Sequence, residues 1–294
     1  MKKYTSQEIK EFVSKPLFDE KIILNKDPNY PKISIVAPSY NQDQFLERTI
    51  LSVLNQNYPN LEYIIIDGGS LDKSVKIIQK YEKYLNYWVS EKDKGQADAI
   101  NKGFQKSTGQ ILAWLNTDDL YLPDTLFKVK NIFQKYREIN FLYGHSVLLD
   151  QKDTLTRVLY TVPQTYSSYI YDGGNVFQGS VFWKRDTFYK YSGLDSKLYF
   201  TLEYKLLDNF FKYEKGFFLN DILAAYRIHK ESKSSTVNAK LVVEEFNSIR
   251  KIKGNIILKF YYQNRRWIYY FFYGNFISTI IEKIKYFLTG ILYS

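Results

Sequence analysis

No cysteine occurs among the 294 residues, so disulfides and thiolate metal sites are both excluded. That absence suits a reducing compartment, and the expected location is cytoplasmic. No apolar run reaches the ~20 residues that a membrane-spanning helix requires. The opening stretch, MKKYTSQEIKEFVSK, has none of the apolar core of a secretory signal. Histidine is scarce, with His145 and His229 alone. Apolar residues make up 45% and charged residues 24%, a balance that excludes wholesale disorder. What the chain has in excess is positive charge, +10 net, and aromatic side chains, with 28 Tyr and 21 Phe. Such a charge points to an anionic partner: nucleic acid, a phosphorylated substrate or a membrane surface. From Asn238 onward there are nine Lys or Arg against three Glu, so most of the excess lies in the last fifth. That distribution disfavours nucleic acid, because the remainder of the chain is only mildly basic.

The organising stretch is Ile111 to Leu122, ILAWLNTDDLYL. Its five leading apolar residues have the look of a strand buried on both faces. They run into Asn116, Thr117, Asp118 and Asp119. Adjacent carboxylates at the end of a buried strand are costly unless a positive group neutralises them, and a hard divalent cation such as Mg²⁺ or Mn²⁺ is a common neutraliser. The plainer reading is an Asp-Asp turn before a helix starting near Leu122.

Around that stretch the chain alternates. A polar leader over residues 1–30 holds one expected helix, Ser6 to Val13. Ile33–Ala37 is strand-like and ends at Pro38. Leu46, Ile50, Val53 and Leu54 share one helical face. Leu61–Ile66 is a second strand, closed by Asp67-Gly68-Gly69-Ser70; Val75, Ile78 and Tyr81 mark a second helix. A short strand at Tyr87–Val89, a helix over Gly95–Phe104 and the Ile111–Leu115 strand follow. Such alternation predicts a parallel sheet covered by helices on both faces, with a ligand at the carboxyl ends of the strands. Oxygen-rich side chains gather at those ends.

The blocks SIVAPSYNQ, LEYIIIDGGSLDKS, EKDKGQADAINKGF and LAWLNTDDLYLP resemble, in order, the motifs of the family 2 glycosyltransferases. The resemblance implies the GT-A fold: a Rossmann-like, mostly parallel central sheet flanked by helices, here with a helical, aromatic-rich C-terminal extension. It implies three parts: the leader, a catalytic domain over 31–237 (nucleotide-sugar half 31–120, acceptor half 121–237) and the extension over 238–294. It also implies an inverting transfer from a nucleotide diphosphate sugar, most commonly a UDP-sugar, to a hydroxyl of a glycan or lipid-linked acceptor, with Mn²⁺ or Mg²⁺ as cofactor.

Carried over residue by residue, the resemblance assigns Pro38, Ser39, Tyr40, Asp67, Gln96, Asp98, Asn101 and Asp118 to the nucleotide. Asp119 is the expected main metal ligand, aided by Asp118 and by His229 from the similar block YRIHKESKS. Gln178 and Gly179 fall on the acceptor side. The catalytic base corresponds to Glu203, in LDSKLYFTLEYKLLDNF, where the family usually has Asp. Gly68 is another departure, since many members carry a second Asp there. A sugar-nucleotide or glycan-binding protein with weakened catalysis is the alternative that the Glu203 departure leaves open.

The second half breaks the alternation. Leu122, Leu126, Val129 and Phe133 form a further helical face, and Phe141–Leu149 and Thr156–Val162 an expected strand pair; Gly173-Gly174-Asn175 interrupts the chain. Leu202, Leu206 and Phe210 give an apolar face to the helix bearing Glu203. In the extension, Trp267 to Ile281 is free of charge for fifteen residues and flanked by basic ones. That pattern suits an interfacial helix on anionic lipid, or equally helices packed on the domain or on a second subunit.

Overall fold

The computed structural model describes residues 22, 27–171, 176–233, 235–236 and 239–249. The expected leader helix, the Gly173–Asn175 break and the Trp267–Ile281 stretch lie outside them.

β1 (Ile33–Ser39) is buried at every position, as a central strand covered on both faces must be. Its side chains divide by parity. Ile33, Ile35 and Ala37 join one core with Leu46, Ile50 and Val53 of α1 (Leu46–Leu54) and Ile78 of α2 (Ser74–Tyr81). Val36 joins the opposite core with Ala97, Ile100 and Phe104 of α3 (Gln96–Lys106). α3 lies so close that a Cβ on Gly103 would stand 2.3 Å from Val36 Cγ1. Glycine is what lets this helix settle onto the strand.

β2 (Leu61–Asp67), β3 (Tyr87–Ser90) and β4 (Ile111–Trp114) complete the parallel part. β1 pairs with β2 on one side and β4 on the other, and β2 pairs with β3. The chain therefore winds outward through β2 and β3 before returning to the far side of β1. Connections diverge at the carboxyl ends of β1 and β4, the place where open α/β sheets bind ligands.

Beyond β4 the sheet is mixed rather than parallel. β5 (Leu120–Tyr121), β6 (Phe141–Leu149), β7 (Leu155–Leu159), β8 (Val181–Lys184) and β9 (Gly216–Arg227) extend it in the order β3-β2-β1-β4-β8-β6-β9-β5, with β7 on β6. β8 runs antiparallel to both β4 and β6, while β9 is parallel to β6. Leu120 and Tyr121 pair with Ala225 and Ala224, so the helix expected from Leu122 begins later, as α4 (Thr125–Lys135). α5 (Tyr166–Tyr171), α6 (Arg185–Lys190), α7 (Leu202–Tyr213) and α8 (Ala239–Ile249) complete the described α-helices. Among the described residues no helix is long and apolar enough to cross a membrane.

At the amino ends of the strands Glu62 is almost wholly buried. It accepts hydrogen bonds from Ser34 Oγ (2.5 Å), Thr108 N (2.6 Å) and Thr108 Oγ1 (2.6 Å). Burial alone would raise its carboxyl, but these donors and the Lys32 charge hold it below its ordinary value. A depressed carboxylate stabilises the fold fully above its unfolded value of about 4.3 and loses that contribution as pH falls through the folded value. Glu62→Gln is therefore expected to lower stability by about 1.5–3 kcal/mol at pH 7. In urea unfolding, the gap from wild type should close as pH is taken below about 4.

Candidate functional site

The loops after β1 and β2 are tied to each other. Asp67 is fully buried and its carboxylate accepts Gly69 N (3.2 Å), Ser70 N (2.9 Å), Ser70 Oγ (2.6 Å) and Ser90 Oγ (2.7 Å). Both oxygens thus serve the loop itself, shaping the edge from beneath. Ser70 Oγ also receives Asn41 N at 2.7 Å, and Pro38 O accepts Thr117 Oγ1 at 3.1 Å. The Ser39 hydroxyl is buried without a partner among the described residues. Tyr40 stands open at the rim, 59% exposed. A Cβ at Gly68 would meet Asp93 Oδ2 at 2.7 Å, so an acidic group from the β3–α3 loop occupies the space a side chain at 68 would fill.

At the start of α3, Gln96 donates Nε2 to Asn116 Oδ1 (2.8 Å) and accepts Lys233 Nζ at Oε1 (2.9 Å). Asp98 accepts Lys94 N at 3.1 Å and pairs with Lys102 at 3.4 Å. Asn101 binds both backbone groups of Leu194, at 2.8 and 3.0 Å. Of these three, Gln96 reaches the Asn116–Asp119 turn, whereas Asn101 ties α3 to the loop preceding α7.

The two adjacent carboxylates have different surroundings. Asp119 is buried, with Oδ1 accepting Arg227 N at 3.0 Å and Oδ2 accepting Asn116 Nδ2 at 3.3 Å. Burial, then the Asp118 charge, push its carboxyl well above the usual range, against the opposing Arg227. Asp118 is more open, and its Oδ2 lies 3.1 Å from His229 Nε2. The structure thus pairs His229 with Asp118 rather than with Asp119. His229 is buried, its ring 4.5 Å from that of Phe45. Arg227 is fully buried, donates to the Asp118 carbonyl, and binds Asp153 Oδ1 through Nε (3.0 Å) and Nη2 (2.5 Å). Asp153, in the β6–β7 turn, also accepts Arg48. Among the described residues no group of three or more His, Asp or Glu converges as a metal cluster. An octahedral cation with ligands at about 2.1 Å sets neighbouring donor atoms about 3 Å apart. Asp118 Oδ2 and His229 Nε2 have that spacing and would supply two positions.

On the other side of β4, Gln178 donates Nε2 to Trp114 O at 2.6 Å, while its Oε1 is buried without a partner among the described residues. Gly179 faces Ala224, whose Cβ would lie 3.3 Å from one added at 179. Glu203 sits in the first turn of α7, whose buried face is the expected Leu202, Leu206 and Phe210, with Leu207 added. Desolvation pushes its carboxyl up to about 7, with its own amide and Lys233 opposing and Glu245 reinforcing the rise. His145, by contrast, is structural: its ring lies between Asn220 Oδ1 and Thr161 N.

A sequence model described as "Glycosyl transferase family 2" matches residues 34–227. The chain belongs to that family. This glycosyltransferase is 33% identical over 134 residues to the putative teichuronic acid biosynthesis glycosyltransferase TuaG of Bacillus subtilis, a match covering 44% of this chain and 53% of TuaG. Its fold is that of GT-A glycosyltransferases. TarS 1–349 of S. aureus, in complex with UDP-GlcNAc, superposes with a TM-score of 0.59 at 15% identity, covering 79% of this chain and 70% of TarS 1–349. The mannosyltransferase PcManGT from Pyrobaculum calidifontis, with GDP-Man and Mn²⁺, gives 0.53 at 16% identity over 77% of this chain and 64% of its own.

Sequence reasoning about this glycosyltransferase passed over Arg227, Asp153 and Lys233 as partners of the acidic turn. An Arg closing the apolar run ILAAYR was the available signal, because a buried guanidinium demands an acid from elsewhere. Asp153→Ala removes that acid from a fully buried cation. We expect a loss of about 3–5 kcal/mol in stability, measured by thermal unfolding, with a much smaller loss for the charge-paired surface variant Glu138→Ala.

Proposed function

We propose that this glycosyltransferase moves a sugar from a UDP-sugar to a hydroxyl of a glycan or lipid-linked acceptor in cell-surface polysaccharide synthesis, in one inverting, metal-assisted displacement. The observation that carries the reading is the link through Lys233 and Gln96 between two unlike acidic centres, the Asn116–Asp119 turn after β4 and Glu203 on α7. Asp118 and His229, hydrogen-bonded at 3.1 Å, offer one ligand atom each to a cation, and Glu203, raised to about 7, is a base poised near neutrality. Lys233 donates to Gln96, which donates on to Asn116 of the acidic turn, and faces Glu203 with its charge. The bound UDP-GlcNAc of TarS and the Mn²⁺ of PcManGT support the donor and cofactor classes. TuaG's name supports a polysaccharide product. The basic, aromatic composition after Asn238 supports an acceptor presented at a membrane face.

In this mechanism Asp118 and His229 would hold Mn²⁺ or Mg²⁺ in place of Asp119, the ligand expected from the sequence, whose oxygens already accept Arg227 N and Asn116 Nδ2; the cation would neutralise charge developing on the diphosphate. The loops after β1 and β2 seat the nucleoside, with Tyr40 at the rim. Glu203 accepts the acceptor hydroxyl's proton as the new bond to the anomeric carbon forms and the bond to the diphosphate breaks. One displacement inverts the anomeric centre, so no protein nucleophile is required.

UDP release from a panel of UDP-sugars, with Mn²⁺, Mg²⁺ or EDTA, tests this. Asp118→Ala and His229→Ala should each lose metal-stimulated UDP binding by at least ~10-fold, and EDTA should abolish turnover. Full turnover in EDTA would remove the metal from the mechanism; UDP binding with no turnover of any donor would favour a binding protein. Because Glu203 works only when ionised, turnover should be low in acid and rise with pH through about 7. Glu203→Gln should keep UDP affinity, lose ~10²–10⁴ in turnover and lose this pH limb.

A further inference from the structure

α8 lies beyond the family-matched residues, yet it reaches back to the helix that carries Glu203. Glu245 Oε1 accepts Tyr199 N at 2.7 Å, and Oε2 accepts Phe200 N and Thr201 N, each at 2.9 Å, together with Thr201 Oγ1 at 3.0 Å. These are the three residues immediately before α7. Of these amides only that of Thr201, the cap residue, belongs to the helix's own unpaired first turn; those of Tyr199 and Phe200 fix the segment that enters it. Thr201 occupies the cap position but makes no side-chain cap of its own; its hydroxyl points to Glu245. Beside Glu245, Phe246 packs edge-on against Tyr204 at 4.7 Å, the residue following Glu203.

Two of these three residues, Tyr199 and Phe200, also carry Lys233. Its ammonium stands 4.2 Å from the centre of the Tyr199 ring and 5.6 Å from that of Phe200, while donating to Gln96 on the nucleotide side. One carboxylate on α8 thus fixes the segment from which Glu203 departs and on which Lys233 rests. Ionised, it makes charge-assisted bonds, roughly twice as strong as neutral ones.

We propose that Glu245 is a positioning residue for sugar transfer, holding segment 199–201 so that Glu203 and Lys233 stand in register across the donor site. This rests on the reading of Glu203 as the base. Misplacing a reacting group by about 1 Å can cost about a hundredfold in rate without touching ground-state binding. The charged groups that face Glu203 are Lys233, from the segment after β9, and Glu245, from α8. Removing the Glu245 charge removes the one that opposes ionisation of Glu203.

The test compares Glu245→Ala, Glu245→Gln and Glu203→Gln in the full chain. UDP affinity is measured with Mn²⁺ by calorimetry, and UDP release is followed across pH with the donor turned over fastest in the panel. For Glu245→Ala we expect UDP affinity within about threefold of wild type, kcat down ~10–10²-fold, and the acid limb moved to lower pH. Glu245→Gln should lie between, since its amide keeps one acceptor oxygen but sets a donor against Tyr199 N. If Glu245→Ala does not fold, Glu245→Gln carries the comparison. Loss of UDP affinity and kcat in equal proportion, with the limb unmoved, would make Glu245 merely structural and overturn the proposal, as would wild-type kcat in both variants. Wild-type turnover by Glu203→Gln overturns the base assignment instead, whatever the Glu245 variants do.

Discussion

A single buried guanidinium lets two adjacent carboxylates end a strand inside this protein. Arg227 has no solvent contact, so its charge must be matched within the fold. Asp153 matches it through two nitrogens, the third nitrogen holds the Asp118 carbonyl, and the backbone amide of the same residue serves Asp119. The Asp118 side chain is thereby left to face His229. Strand β9, the β6–β7 turn and the strand end after β4 meet at one residue. A mixed second half of the sheet is what makes this possible: β9 runs parallel to β6 and ends beside the acidic turn.

The first half of the fold could be read from the chain because its inner strands β1, β2 and β4 are buried on both faces and each helix shows its apolar stripe. β1 is buried throughout, and α1 buries Leu46, Ile50, Val53 and Leu54, the residues whose spacing marks its face. Periodicity cannot report which way a strand runs, so the antiparallel insertion of β8 between β4 and β6 was not legible. The strand-end clustering of polar side chains was equally legible, but what each one does was not. Asp67 has the sequence signature of a ligand-facing carboxylate, yet four donors from Gly69, Ser70 and Ser90 engage it. Which of Asp118 and Asp119 remains open is decided by the Arg227 amide, 108 residues away. No local pattern carries that information. The same holds for Glu245, whose importance lies in amides some 45 residues earlier.

The Asn116–Asp119 turn and Lys233 are joined by one directional set of hydrogen bonds. Lys233 donates to Gln96 Oε1, Gln96 donates to Asn116 Oδ1, and Asn116 donates to Asp119 Oδ2. Each amide has its oxygen toward the cation and its nitrogen toward the acid, so the polarity runs unbroken from ammonium to carboxylate. Flipping either amide would set donor against donor at one end and acceptor against acceptor at the other. Burial pushes the Lys233 ammonium below its ordinary value, with Glu203 and Glu245 opposing that fall. The same cation therefore carries the charge that Glu203 feels and the hydrogen bond that orients Gln96. In a low-dielectric site such sharing makes the two ends energetically dependent: a change in the ionisation of Glu203 alters how firmly Lys233 is charged, and so how the Asn116–Asp119 turn is held.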